Sequence, residues 1–351
     1  MRMLQSACLT DRRTYGRKNG KERTVKYMLR AMDSAVSGLR AHQQKLDVIG
    51  HNIANVNTVG YKSQSYTFKD TMYQSSTSST RGTDTSGGVN AAQYGYGSLM
   101  GTISVDMAAS TPTYVGGFAA SIDGEGFFAT SAEKKGLNSA ISGANSDQIK
   151  SAEFDYTRVG QFKTDSNGYI VDGNGNFIYG FRMNANGTRE TDLKPLRVPS
   201  YVDATSGNPT INDITGGLPD HTSATGCALE AKNAKINKVG DIEVTVKNSS
   251  GDSVTVVIGT AAIVTFQNQE GLTKDGSNYY KDSESSNTGV CSAGIPGDNR
   301  ATLMPGYLEA SNVDMAVEFS EMIMAERGFQ ANSKIITVSD EILSDLINMK
   351  R

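Results

Sequence analysis

Tryptophan is absent from the 351 residues, and cysteine and histidine occur three times each. The cysteines Cys8, Cys227 and Cys291 lie far apart with no C-x-x-C pair. That spacing argues against a metal cluster or a disulfide framework, while a single Cys227–Cys291 bridge stays open. No apolar run approaches the roughly 20 residues of a membrane-spanning helix, and mean hydropathy is -0.38. Positive charge is scarce outside the first 27 residues. Residues 1–27 carry eight Lys/Arg against Asp11 and Glu22, so the net charge of -3 leaves -9 on residues 28–351. So acidic a body makes a poor nucleic-acid binder, because phosphate contacts need a basic face. Residues 1–27 also lack the apolar core of a secretory signal. A clean helical pattern starts at Met28, so this stretch is expected to be a disordered tail or the product of an upstream start codon. The alternative is a basic nucleic-acid arm.

A credible active site is lacking too. Gly124-Glu125-Gly126-Phe127-Phe128-Ala129 has the letters of a dinucleotide fingerprint, but a strand rather than a helix follows the glycines. Asp172, Asn174 and Asn176 begin like a calcium loop. Phe177 then stands where glycine is needed and Met183 where a bidentate Glu belongs, so consecutive Asn-Gly β-turns explain the run better. His42 and His51 are nine apart, not a metal-binding i, i+4 pair, and His221 stands alone. No G-x-S-x-G context exists, and carboxylate pairs such as Asp282/Glu284 sit in polar, loop-like sequence. No catalytic residue, cofactor or metal is expected.

What is present is helix at both ends and strand between them. From Leu29, alternating steps of three and four pass through Met32, Val36, Leu39, Gln43, Leu46, Gly50 and Ile53, a heptad seam. This helix is expected to stop near Asn57, among Asn55, Thr58 and Gly60. The same rhythm runs through Met315, Phe319, Met322, Glu326, Phe329, Ser333, Ile336, Asp340, Leu343 and Ile347. A second stripe, Ile335, Val338, Ile342 and Met349, widens it. Ser311 and Asp314 read as a capping box for a helix over 312–349. Helices this long with one apolar seam need a partner, and self-association is favoured over a monomeric hairpin because the second stripe exceeds what one helix covers.

Most of the chain's 37 glycines lie between the ends, and with frequent Asn and Asp they mark turn-rich β structure there. Gln74–Gly88 reads as a loop or extended linker. Ile242-Val244-Val246 and Val254-Val256-Ile258 around NSSGD predict a hairpin, and strands are expected around Phe162, Tyr169–Val171 and Phe177–Tyr179. The fold class is therefore α+β: terminal helices pairing as a coiled-coil-like core, with a mainly β region inserted. Expected boundaries are 1–27 (basic extension), 28–98 (helix and linker), 99–300 (β region, outer domain reduced) and 301–351 (helix pairing with 28–58).

The run SGLRAHQQKLDVIGHNIANVNTVGYKS, within residues 34–63, resembles the N-terminal signature of the flagellar rod–hook family. Residues 308–351, LEASNVDMAVEFSEMIMAERGFQANSKIITVSDEILSDLINMKR, are similar to its C-terminal signature. SIDGEGFFAT (121–130), YTRVGQFKTDSNGYIVDGNG (156–175) and IVTFQNQEGLTKDGSNYY (263–280) resemble its β-region motifs. Motif positions here are Asn52, Asn55, Asn57, Thr58, Gly60, Tyr61, Asn312, Asp314, Gln330 and Asn332. Two departures are His51, where asparagine is usual, and a short, poorly matched stretch from about 195 to 262. The C-terminal helix and chain length lean toward the hook subunit, with a distal rod subunit as the alternative.

The resemblance implies a secreted structural protein of the flagellum, exported through the type III apparatus without a cleaved signal. It implies a homopolymer forming a curved, torque-transmitting tube that meets rod and hook–filament junction proteins and, during assembly, a hook cap. The seam residues above would then join the subunits.

Overall fold

The computed structural model describes residues 30–84, 87–135, 141–183, 188–198, 201–202, 227–228, 234–247, 253–282, 286–297 and 300–349. Leu29, residues 1–27, Cys8 and His221 lie outside them, and so does Glu284. The described residues include three α-helices, α1 (residues 30–54), α2 (Ser146–Ser151) and α3 (Met315–Asn348). The chain forms two compact units: residues 1–54, 64–105 and 313–351 in the first, 55–63 and 106–312 in the second.

In the first unit α1 and α3 pack antiparallel. Lys45 bonds Glu321 at 3.1 Å and Asn52 bonds Glu318 at 2.9 Å, so positions rise along one helix as they fall along the other. At about 1.5 Å per residue, the 34 residues of α3 extend about 51 Å. Its start differs from the expected capping box. Asp314 is itself the cap, its carboxylate accepting from the Ala316 and Val317 amides at 2.8 and 3.4 Å. An aspartate in extended conformation there satisfies two orphan N–H groups and meets the positive end of the helix.

Four strands complete this unit: β1 (Gln64–Asp70), β2 (Tyr73–Thr77), β3 (Ala92–Gly95) and β4 (Ser98–Val105). β1 pairs with β4 and β2 with β3, and a Thr80–Val89 bridge continues the ribbon. The Ser/Thr-rich stretch read as linker thus enters a two-stranded ribbon. Its threonines favour the pleated backbone: the Thr77 and Thr80 hydroxyls accept from the Ala92 and Val89 amides across it at 3.2 and 3.3 Å.

The second unit is built on a 13-stranded sheet. Successive residues enter opposite cores: Phe127 and Ala129 one, Phe128 the other, and likewise Ile178/Tyr179 and Ile263/Val264. Both faces of these strands are buried, so they read as continuous apolar runs rather than alternating ones. The expected hairpin forms with Val244 opposite Val256, and a bulge shifts Ile242 onto Gly259. Phe127–Ser131 is a strand, and Gly124 and Gly126 have φ of 122° and 138°, so the glycines of GEGFFA form a bend that leads into a strand and not a helix. The Asp172 carboxylate is consumed locally: one oxygen accepts from the Asn174 and Asn176 amides and the other from the Tyr279 hydroxyl. Cys291 is a buried free thiol. Asp282 accepts from the Ser286 and Thr288 hydroxyls.

Candidate assembly surface

The α1–α3 seam is lined by small and polar side chains. Ala35, Gly38, Ala41, Val48, Ile49 and Asn52 form the buried face of α1. On α3 the covered stripe runs through Glu318, Glu321, Met322, Ala325, Gly328, Asn332, Ile336, Ser339 and Leu343. Close approach is the reason for the small residues. A Cβ on Gly38 would lie 2.7 Å from the Asn332 side chain, and one on Gly328 2.5 Å from the His42 ring.

Asn52, only 1% exposed, ties three segments together. Its amide donates to the Gln64 carbonyl at 2.8 Å and to Glu318 at 2.9 Å, and its oxygen accepts from the Gln64 amide at 3.0 Å. Burial raises the Glu318 carboxyl above its ordinary value, opposed by that Asn52 hydrogen bond.

The predicted seam residues divide between two faces. Met32, Leu39, Leu46 and Ile53 are half-buried, as are Met322, Ile336 and Leu343 on the stripe facing α1. Val36, Met315, Phe319, Phe329 and Ile347 are exposed, and so is the whole second stripe of Ile335, Val338, Ile342 and Met349. Val317, Ile323 and Met324, each more than half exposed, extend that outer face. One helix of α3's length therefore presents two seams: a small-residue one used within the chain and a large apolar one left bare.

In the second unit, the segments flanking the helices in sequence meet in a buried polar clasp that sequence reasoning missed. Lys62, 0% exposed, donates to Glu309 and to the Ala108 carbonyl, both at 2.7 Å. Arg158 reaches Glu309 at 3.3 Å and the Gly124 carbonyl at 2.9 Å, and stacks over Phe127. Burial and the neighbouring Arg158 hold the Lys62 amine below its ordinary pKa, against the pull of Glu309. Lys274 donates to the Lys62 carbonyl at 2.8 Å, 4.5 Å above the Tyr61 ring, and burial lowers its pKa to about 8.

Several motif residues serve this clasp. Gly60, with φ of 70°, donates its amide to the Glu309 carbonyl at 2.8 Å. Asn312 accepts from the Ser63 amide at 2.6 Å and donates to the Asp106 carbonyl at 3.0 Å. Asn55 and Thr58 bond each other in the turn, and Asn57 is exposed. On α3, Gln330 bonds Glu326 and Asn332 lies against Gly38. The missed residues did leave a trace: Lys62, Arg158 and Glu309 each fall within a quoted family-like stretch.

Comparison with known proteins accounts for this arrangement. Residues 32–62 match the family model described as flagella basal body rod protein, and 304–349 that of the flagellar basal body rod FlgEFG protein C-terminal region. The chain is 38% identical to the flagellar basal-body rod protein FlgG of Bacillus subtilis (strain 168), over 92% of this chain and all of that protein. The chain belongs to the flagellar basal-body rod/hook family. Other rod/hook relatives include the FlgG of Borreliella burgdorferi at 28% and that organism's flagellar hook protein FlgE at 26%, each covering 92% of this chain and all of the relative. Members are structural, non-enzymatic subunits of the flagellar basal body. Both family-model matches fall on the terminal regions, where the helix pair and the clasp carry most motif residues.

Proposed function

We propose that this chain is a subunit of the flagellar rod, replacing the hook reading to which the C-terminal helix and chain length leaned. The supporting observation is the end-to-end match at 38% with a rod protein, aligned over 326 residues. The hook relative aligns at 26% over 463 positions, more than this chain's 351 residues, so it carries segments absent here.

Assembly proceeds through the bare outer face of α3 and the half-buried row of α1, which neighbouring copies cover. The β1–β4 ribbon adds further area: Phe68, Leu99, Met100 and Ile103 are each at least 40% exposed. A two-stranded ribbon is marginal alone and gains stability when a neighbour packs on it. Export through the type III apparatus, a place in the basal body and end contacts with other axial proteins belong to the same reading.

Ile336 lies on the stripe facing α1, so Ile336→Asp opens the pair inside one chain. Ile342, 45% exposed, is the cleaner probe. Ile342→Asp should leave both units folded and abolish polymer, because assembly would bury an unpaired carboxylate. Normal polymer from folded Ile342→Asp would refute this use of the face.

A further inference from the structure

His42 closes the α1–α3 seam from the side. Its imidazole abuts Gly328 of α3, where a Cβ would lie 2.5 Å from the ring, and it packs at a tilt of 56° against Phe68 of β1 with centroids 5.2 Å apart. Its Nδ1 is buried without a hydrogen-bond partner. A neutral imidazole tolerates this, since an unprotonated nitrogen asks only for a donor. An imidazolium does not, because both nitrogens then carry hydrogens and a new charge enters a packed interface.

The groups around it offer no relief. On α1 the nearest charge is Lys45, itself cationic. From α3 comes Glu321, already engaged by Lys45 at 3.1 Å. From β1 come Phe68 and Tyr66, whose hydroxyl donates to Gln44 and whose pKa burial raises. Across from Phe68, β4 places Met100 and has no charged residue.

We propose that His42 is a proton-operated latch on the helix pair: protonating its imidazole parts α3 from α1 and so dismantles the outer face through which copies assemble. This regulation rests on the assembly reading above. Burial first, then Lys45, holds the imidazole below its ordinary 6.5. The paired state therefore takes the proton less readily than the parted one. Pairing is at full strength above pH 6.5 and weakens as pH falls, by up to tenfold per pH unit until the paired form itself titrates. Glu318 works in the opposite direction, since its raised pKa makes acid favour the paired state. A loss of pairing on acidification thus identifies His42 rather than that carboxylate.

The test is hydrogen exchange of the full chain at a concentration too low for polymer, at about pH 7.5 and about pH 5, corrected for intrinsic rates. Wild type should lose protection in α1 and α3 at the lower pH while the sheet of the second unit keeps its own. His42→Gln, neutral at both pH values, should keep helix protection; His42→Phe serves if the glutamine variant does not pair. Unchanged protection in wild type, or equal loss in a paired variant, overturns the latch. Polymerisation is read separately at pH 7.5, where its failure would count against the assembly reading and not against the latch.

Discussion

Replacing Glu309 by alanine strips the clasp of its anion while leaving two cations in place. Lys62 and Arg158 are 0% and 1% exposed, and Glu309 is the carboxylate bonded to both. The Ser110 amide loses its acceptor at 3.1 Å as well. Breaking a buried pair from one side costs about 3–5 kcal/mol, because the remaining charge keeps its desolvation penalty. For a unit of about 200 residues, each kcal/mol lowers Tm by about 2–4 °C, which puts the expected loss at about 6–20 °C. Scanning calorimetry of the full chain reads this. Glu309→Gln retains an acceptor for Lys62 and Ser110 and should fall between the two. Lys62→Met leaves the Arg158–Glu309 pair intact and should cost less than Glu309→Ala. A Glu309→Ala transition within about 2 °C of wild type would refute the claim that this carboxylate holds the junction together.

Three further outcomes follow from the geometry. Gly60→Ala should lower the stability of the second unit by about 1–2 kcal/mol in urea titrations, since φ is 70° and a Cβ would meet Val159 at 3.0 Å. Lys274 has a folded pKa of about 8, below the ordinary 10.5, so the unfolded chain binds the extra proton between those values. Stability should therefore rise with pH from about 8 to 10.5 in wild type, and this component of the rise should vanish in Lys274→Met. Ile342→Asp should sediment as a folded monomer under conditions where wild type polymerises.

Much of the fold was legible because both helices carry large apolar residues at heptad spacing and the middle carries turn residues at short intervals. The direction of each helix face was not. Periodicity registers Leu, Phe and Met, whereas the seam inside the chain is made of Ala35, Gly38, Ala325 and Gly328, whose value is their small size, and of Asn52, whose value is its side-chain hydrogen bonds. Leu343 and Phe329 look alike in sequence, yet one is half-buried on the stripe facing α1 and the other is 37% exposed. Within Gln74–Gly88 the residues up to Thr77 join a ribbon, because the polar side chains that suggest a linker also suit a pleated strand. The clasp was out of reach for a different reason. Lys62, Arg158 and Glu309 are far apart in sequence, and nothing in a lysine's neighbours announces that it is buried. The family-like stretches held the ingredients, and only the fold brings them together.

A rod subunit that assembles through the outer faces of its terminal helices should build straight, rigid tubes in which Phe319, Met324 and Ile342 lie against neighbouring copies. Electron microscopy of polymer grown from the purified full-length protein reads both features. Curved tubes would return the chain to the hook, and tubes that leave those three side chains facing solvent would contradict the assembly surface itself.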